Sequence, residues 1–578
     1  MMLHLRHGIE PEPTRAVATG WLAVVCAALV ILSASPRALA VTDLSDTPMF
    51  PRVLPPPANI MFLLDDSGSM NFEILVTGQF DGSFPNPAKS ASDLAIDAHG
   101  FCYLFDDVGD NVYKSYSQPD WYAGQEGRTL WQTQFHQTNV MYYNPSVTYT
   151  PWPSYGSVTF TNANKDTPRS HPVNGSYTLN LDGTSYTVGT VNIPHARYVV
   201  YSASQSKHYL VVLDKASSSK KYYAFTVTGS GLAAKFSALT QESSPPADVL
   251  SGRSYSDERQ NFANWFTYYR RREFVAKNAL ANVITSLSQV RVGIYGINKK
   301  VVQPLADVKV TQGLTVNDST NTLLALLYPY TSGGGTPLKA GLKTIGNYFK
   351  DNTGTLDTKT GPKPYGTAAD GATCQQSFTI ILTDGYYDDL GTTLDGNTDG
   401  DNGAPYADGH SDTLADIAMY YYENDLNALL ANQVPKNKYD WATHQHTTTY
   451  AVAFGVSGTL NPADYDADFK HKTTGNLIQW TVPSASYKPE AVDELWHATV
   501  NGRGKFFNAS NPVALTSALN DLMSAIGEIL IGSSSSVTVN GDYLYGKVGS
   551  NTFIYQGLYS NKDGEWTGDV KAYPVDAV

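Results

Sequence analysis

A chain of 578 residues is long enough for several domains. Its formal charge of −13, with only 16% charged residues, excludes a nucleic-acid binder, because phosphate contacts need clustered Lys and Arg. The one basic run, Arg270-Arg271-Arg272, falls in a helical pattern and reads as a solvated or capping face. At the N-terminus, Arg6 and Arg15 precede the apolar run 21–34, and Ala38-Leu39-Ala40 offers small residues for cleavage. Residues 1–40 therefore read as a removed signal peptide. The apolar run is short of the ~20 residues needed to span a bilayer, so no transmembrane segment is expected after signal removal. Residues 41–57, Pro-rich and without periodicity, read as a linker. Cys26 leaves with the signal, and Cys102 and Cys374 remain as an even pair for which a disulfide is expected.

The next element, ANIMFLL, is an apolar strand that runs straight into Asp65-Asp66-Ser67-Gly68-Ser69. Residues 71–255 interrupt the pattern as an insertion. Within it, about 155–240 alternates Thr, Tyr and Val in short runs, which predicts an all-β subdomain with Leu181-Asp182-Gly183-Thr184 as a hairpin turn. Residues 258–287 carry helical periodicity throughout and predict one long helix. Strands are expected at 291–298, 377–383, 447–456 and 505–510, and helices after Thr336, at 491–502 and at 511–532. This alternation predicts an α/β domain split between 58–70 and 256–532, with a parallel sheet covered on both faces. Ligands on such sheets bind at the carboxyl ends of the strands. Residues 533–578 return to strands and tight turns, a C-terminal β segment.

Asp65, Ser67 and Ser69 place one carboxylate and two hydroxyls at a strand end, a donor set suited to a hard divalent cation. Thr336, after three glycines, and Asp384, at the end of a second apolar strand, complete an all-oxygen set. The five residues resemble the metal-ion-dependent adhesion site of von Willebrand factor A domains. That resemblance implies a doubly wound sheet, hydroxyls in direct contact with the ion, and aspartates acting largely through water. It also implies an open position for a partner's carboxylate. Mg²⁺ is the expected ion, with Ca²⁺ the alternative. Asp66 stands where many such domains have Gly, and its role is unassigned.

A second cation loop is expected from Asp395, Asn397, Asp399 and Asp401, which follow calcium-loop spacing with Tyr406 where the bidentate Glu would stand. His444 and His446 lack the partners of a zinc site, and His497 reads as a packing or surface residue. The three glycines at 333–335 lack the Gly-Lys-[Ser/Thr] of a phosphate loop, there is no Gly-x-Ser-x-Gly elbow, and no nucleophile–base pair is placed by motif. The expectation is a non-enzymatic protein.

Several longer phrases narrow the reading: YYNPSVTYTPWP (142–153), RQNFANWFTYYRRR (259–272), DGHSDTLADIAMYYY (408–422) and ELWHATVNGRGKFFNASNP (494–512). Together they resemble the PilY1 family of type IV pilus tip-associated adhesins and biogenesis factors, over roughly 58–578. The resemblance implies export through the periplasm to the cell surface and a place at the pilus tip. It implies minor pilins as partners, and a host or surface ligand with an acidic group. The phrase YQGLYSNKDGEWTGDVKAY (555–573) then resembles the start of the family's C-terminal propeller, most of which is missing. The competing expectation is a generic secreted surface- or matrix-binding A-domain module not linked to pili.

Overall fold

A computed structural model describes residues 56–79, 82–84, 102–105, 126–174, 177–312, 314–391, 396–531, 535–539, 553–562 and 565–574. The signal segment with Cys26, most of the 41–57 stretch and Asp395 lie outside the described residues.

Six strands build the central sheet: Ala58–Leu64 (β1), Val290–Gly296 (β2), Val302–Val308 (β3), Ser377–Thr383 (β4), Thr448–Phe454 (β5) and Arg503–Ala509 (β6). Their order across the sheet is β6-β5-β4-β1-β2-β3, and every neighbouring pair is parallel except β2 with the edge strand β3. Every residue of β1, β2, β4 and β5 is buried, as expected of parallel strands covered on both faces.

Among the described residues there are seven α-helices: Tyr255–Tyr268 (α1), Arg272–Ser286 (α2), Thr320–Leu327 (α3), Leu338–Asp351 (α4), Leu414–Glu423 (α5), Glu490–Asn501 (α6) and Pro512–Ile531 (α7). Alternate strand residues point to opposite faces. Ile60, Phe62 and Leu64 of β1 accordingly join Phe274 and Leu280 of α2, Leu323 of α3 and Leu519 of α7 in one core. Met61 and Leu63 join Leu342 of α4, Ile417 of α5 and Leu495 of α6 in the other. Truncating any of these fully buried side chains to Ala would cost about 2–5 kcal/mol. The chain is therefore an α/β protein with a sheet wound on both sides.

The insertion carries a four-stranded antiparallel sheet, Arg197–Ser202, Lys207–Asp214, Ser219–Thr228 and Lys235–Glu242, and a two-stranded hairpin, Thr184–Val188 with Val191–Pro194. Its apolar core is shared with α1: Tyr143, Tyr198, Phe262 and Trp265 pack as a tilted aromatic cluster. The hairpin turns at Gly189, which takes φ +59°, whereas residues 180–183 form the turn that leads into it. The Leu181–Thr184 phrase thus marks the entry and not the tip. Near the C-terminus, Ser535–Val539, Phe553–Lys562 and Glu565–Pro574 form a three-stranded antiparallel sheet.

Two expectations need correction. The span 258–287 is two helices, because the chain leaves helical geometry at Tyr269 and re-enters after Arg271, whose φ of −105° and ψ of 150° are extended. The three arginines at this break are not solvated: Arg270, Arg271 and Arg272 are all buried. The break turns them inward. Arg270 pairs with the buried Glu73 at 2.8 Å and Arg272 with Asp384 at 2.7 Å. Periodicity could not reveal this, since both carboxylates lie more than a hundred residues away in sequence.

Candidate metal centre

β1 and β4 lie side by side with Leu64 opposite Leu382, so their carboxyl ends deliver Asp65 and Asp384 to one place. This is where the strand order reverses, the position at which open α/β sheets hold their ligands. The Asp65 N–H donates to Leu382 O at 2.8 Å, which extends the ladder one residue past the strand. Both oxygens of Asp65 are occupied: Oδ1 accepts from the Ser67 N–H at 2.9 Å, and Oδ2 accepts from the Thr383 hydroxyl at 2.6 Å. The Ser69 hydroxyl donates to Asp384 Oδ1 at 3.0 Å, and the hydroxyls of Ser67 and Ser69 are 3.0 Å apart. Four of the five residues read from the sequence thus form one hydrogen-bonded chain.

Thr336 arrives on the segment between α3 and α4. Backbone bonds staple that segment to the first loop: Gly333 N–H donates to Asp66 O at 2.8 Å, and Gly68 N–H donates to Gly334 O at 3.0 Å. Asp388, four residues past Asp384, accepts from the Thr336 N–H at 3.0 Å and donates its own N–H to Thr336 O at 3.2 Å. A β-carbon at Gly335 would lie 2.4 Å from Asp388 Oδ2, so a larger residue there would displace that carboxylate from the Thr336 N–H. All three loops are therefore tied to one another.

The adjacent Asp66 has a separate task. Its Oδ1 accepts from the Asn298 N–H at 2.6 Å and its Oδ2 from the Lys300 N–H at 2.8 Å, which fixes the turn between β2 and β3. Gly296 makes room for it, since a β-carbon there would fall 2.1 Å from Asp66 Oδ2.

Burial, and behind it the charge of Asp384, pushes the Asp65 carboxyl up to about 7. Two carboxylates share a dry space there, a condition that a bound cation would relieve. The donor set contains oxygens only, so it fits a hard divalent ion: Asp65, Ser67, Ser69, Thr336 and Asp384 would hold it. The group that sequence reading missed is Arg272. Its Nη1 donates to Asp384 Oδ2 at 2.7 Å and its Nη2 to Ile74 O at 2.6 Å, so one of the two negative charges is already balanced from within the fold.

The other expected sites fare differently. Asn397 donates from Nδ2 to Asp408 O at 3.3 Å, and Asp401 is exposed beside Asn402. Asp399 is instead fully buried and accepts from the Asp408 N–H at 3.1 Å and from Asn501 Nδ2 at 2.7 Å. Asp395 is outside the described residues. The structure draws no bond between Cys102 and Cys374, where a disulfide is expected from the sequence. Cys102 O accepts from the N–H groups of Glu73 and Ile74, just past the carboxyl end of β1, whereas Cys374 precedes the amino end of β4. The length of a seven-residue strand, on the order of 20 Å, separates those ends, far beyond disulfide reach. Among the described residues, no helix is long and apolar enough to cross a membrane.

Fold and site together define an α/β protein that gathers acidic and hydroxyl side chains at the switch point of its sheet. The chain is 25% identical over 607 aligned positions to type IV pilus biogenesis factor PilY1 of Pseudomonas aeruginosa strain UCBPP-PA14, an alignment covering 96% of this chain and 45% of that protein. PilY1 of strain PAO1 is 28% identical over 55% of this chain and 31% of its own length, and PilY1 of strain PAK is 27% identical over 58% and 32%. These matches support a relationship between the chain and the PilY1 family. It spans less than half the length of the curated relatives it matches. No family model and no solved structure matches it.

Proposed function

We propose that this chain is a non-enzymatic type IV pilus adhesion and assembly factor that engages an acidic partner group through a divalent ion at Asp65, Ser67, Ser69, Thr336 and Asp384. The observation that carries the reading is the convergence of β1 and β4 on Asp65 and Asp384 at the switch point, with the Ser67–Ser69 hydroxyls bridging toward Asp384. The strand order, with a single antiparallel edge strand, supports a von Willebrand factor A-type sheet, split by the insertion at 71–255. The relatives' printed role in type IV pilus biogenesis supports the pilus assignment. In this reading residues 1–40 are an export signal and minor pilins are the partners at the cell surface. The ion would supply Lewis acidity toward a partner's carboxylate. The chain's own residues hold the three loops closed around it and keep Asp384 fixed from behind through Arg272.

A second reading is that the ion only locks the loops for contacts made elsewhere. It is favoured by the backbone staples Gly68–Gly334 and Gly333–Asp66, which already join the loops. Pulldown of minor pilins by the full chain, with and without chelator, tests the first reading against Asp65→Ala. Capture lost in chelator and in the variant supports recognition through the ion. Capture equal in all arms overturns it. Loss of pili together with adhesion would favour the locking role, whereas lost adhesion with pili intact favours the ligand role.

A further inference from the structure

The second acidic loop, which sequence reading assigned to calcium through Asp395, Asn397, Asp399 and Asp401, closes in the structure on a different partner. The helix α6 brings His497 against it. Ligand atoms of Asp399, Asp408 and His497 all lie within 4.8 Å of one another. The His497 and Asp399 side chains are essentially inaccessible, and that of Asp408 is 7% exposed.

The tautomer of His497 is set by its neighbours. Its Nε2 lies 2.6 Å from Tyr406 O and 3.7 Å from Asp399 Oδ2, and a carbonyl can only accept, so Nε2 carries a proton. Nδ1 then faces Asp408 Oδ2 across 3.5 Å, and neither atom has a hydrogen-bond partner. In a neutral imidazole this sets a lone pair against a carboxylate, which is repulsive. A positive species has to lie between them, either a proton or a metal ion.

The separation decides between the two. An imidazolium–carboxylate hydrogen bond closes to about 2.7–2.9 Å. Two ligands about 2.1 Å from one tetrahedral ion stand ~3.4 Å apart. The observed 3.5 Å matches the second. The hydrogen bond from the far ring nitrogen to a backbone carbonyl is also the outer-shell arrangement that orients metal-bound histidines. Two carboxylates and one neutral imidazole balance a dication. One imidazole with carboxylates and no thiolate suits Zn²⁺ or Mn²⁺ better than Ca²⁺.

The surroundings hold this geometry. Asp416 at the start of α5 accepts from the N–H groups of Thr398 at 2.6 Å and Asp399 at 3.3 Å, which fixes the loop. Trp480 stacks on the His497 ring at 4.2 Å and 11° and donates its indole N–H to Pro405 O at 2.6 Å.

We infer that Asp399, Asp408 and His497 form a second metal site, separate from the one at Asp65, that takes a first-row transition dication of the zinc class through one imidazole nitrogen and two carboxylates. The site ties the acidic loop to α6.

Zn²⁺ titration of the full chain carrying Asp65→Ala, in excess Mg²⁺, tests this by calorimetry and by Trp480 fluorescence. One Zn²⁺ per chain is expected, weakened at least tenfold in Asp408→Asn and in His497→Gln. Asp408→Asn removes an oxygen that has no hydrogen-bond partner, so its fold should survive even if His497→Gln fails to express. Absence of stoichiometric uptake, or uptake unchanged in Asp408→Asn, overturns the site. A fluorescence transition that depends on pH and is indifferent to Zn²⁺ assigns the position to a proton and also overturns it.

Discussion

Arg272 Nη1 lies 2.7 Å from Asp384 Oδ2, and neither side chain has any exposed surface. The helix break before α2 exists to make this contact: an unbroken helix over 258–287 would not turn Arg272 and Arg270 together toward Asp384 and Glu73. Removing one partner of a buried ion pair leaves the other charge uncompensated, which typically costs about 3–5 kcal/mol. Arg272→Met is therefore expected to destabilise the chain by that amount in EDTA. Mg²⁺ should recover part of the loss, because an ion at Asp384 replaces the missing charge. Urea denaturation with and without Mg²⁺ measures both quantities, and a loss identical in the two conditions would argue against an ion at this carboxylate.

Asp65 and Asp66 are neighbours in sequence and differ in what they hold. Asp65 joins the hydroxyl chain, whereas Asp66 anchors the Asn298–Lys300 turn through two charge-assisted bonds. Bonds to a charged group contribute about 1.5–3 kcal/mol each. Asp66→Ala is expected to lower stability by roughly 3 kcal/mol while leaving Mg²⁺ affinity within about threefold. Asp65→Asn should do the reverse, abolishing Mg²⁺ binding with little change in stability. Calorimetry and thermal denaturation of the two variants side by side check this, and matching profiles would mean that the pair acts as one unit.

How far the sequence reached depends on where each partner lies. β1 and β4 were legible because each is a largely apolar run, Ile60–Leu64 and Ile380–Leu382 at its centre, that leads to an aspartate. The Ser67–Ser69 spacing was legible because the bonds of Ser67 to Asp65 and Ser69 are local. Arg272 was not, since a charged triplet in a helical pattern ordinarily faces water, and only the folded position of Asp384 reverses that. His497 was hidden for the same reason: a lone histidine on an apolar helix reads as packing until the loop carrying Asp399 and Asp408 is folded against it. The hairpin tip was misplaced because Asp182-Gly183 is itself a true turn, only one strand too early.

Glu494 of α6 should dominate one part of the pH profile. Burial pushes its carboxyl up to about 7, even though the Tyr387 hydroxyl and the Leu414 N–H both donate to it. A carboxyl whose folded value is raised binds more protons folded than unfolded between its ordinary value of 4.5 and about 7, so stability falls as pH rises through that window and is level above it. At 1.36 kcal/mol per unit the loss is up to about 3 kcal/mol. Glu494→Gln cannot ionise, and its stability relative to wild type is expected to improve from pH 5 to pH 7.5. Denaturant midpoints at half-unit intervals measure the slope, and parallel profiles for the two proteins would show that Glu494 titrates normally.

Cys102 and Cys374 sit at opposite ends of the central sheet and are expected to stay reduced in the folded chain. Cys102 is buried beside Phe72 and Tyr103, whereas Cys374 is half-exposed and donates weakly to Gly371 O at 3.3 Å. Burial pushes the Cys374 thiol above its ordinary value, so its alkylation at neutral pH should be slow, and that of Cys102 slower still until the chain unfolds. Mass spectrometry after iodoacetamide treatment, without reductant, should find one label on the native chain at Cys374 and a second at Cys102 only in denaturant. A peptide joining the two cysteines would require the 102–105 segment to leave the Glu73 and Ile74 backbone to which it is bonded. Its detection would therefore place the insertion differently against the metal centre.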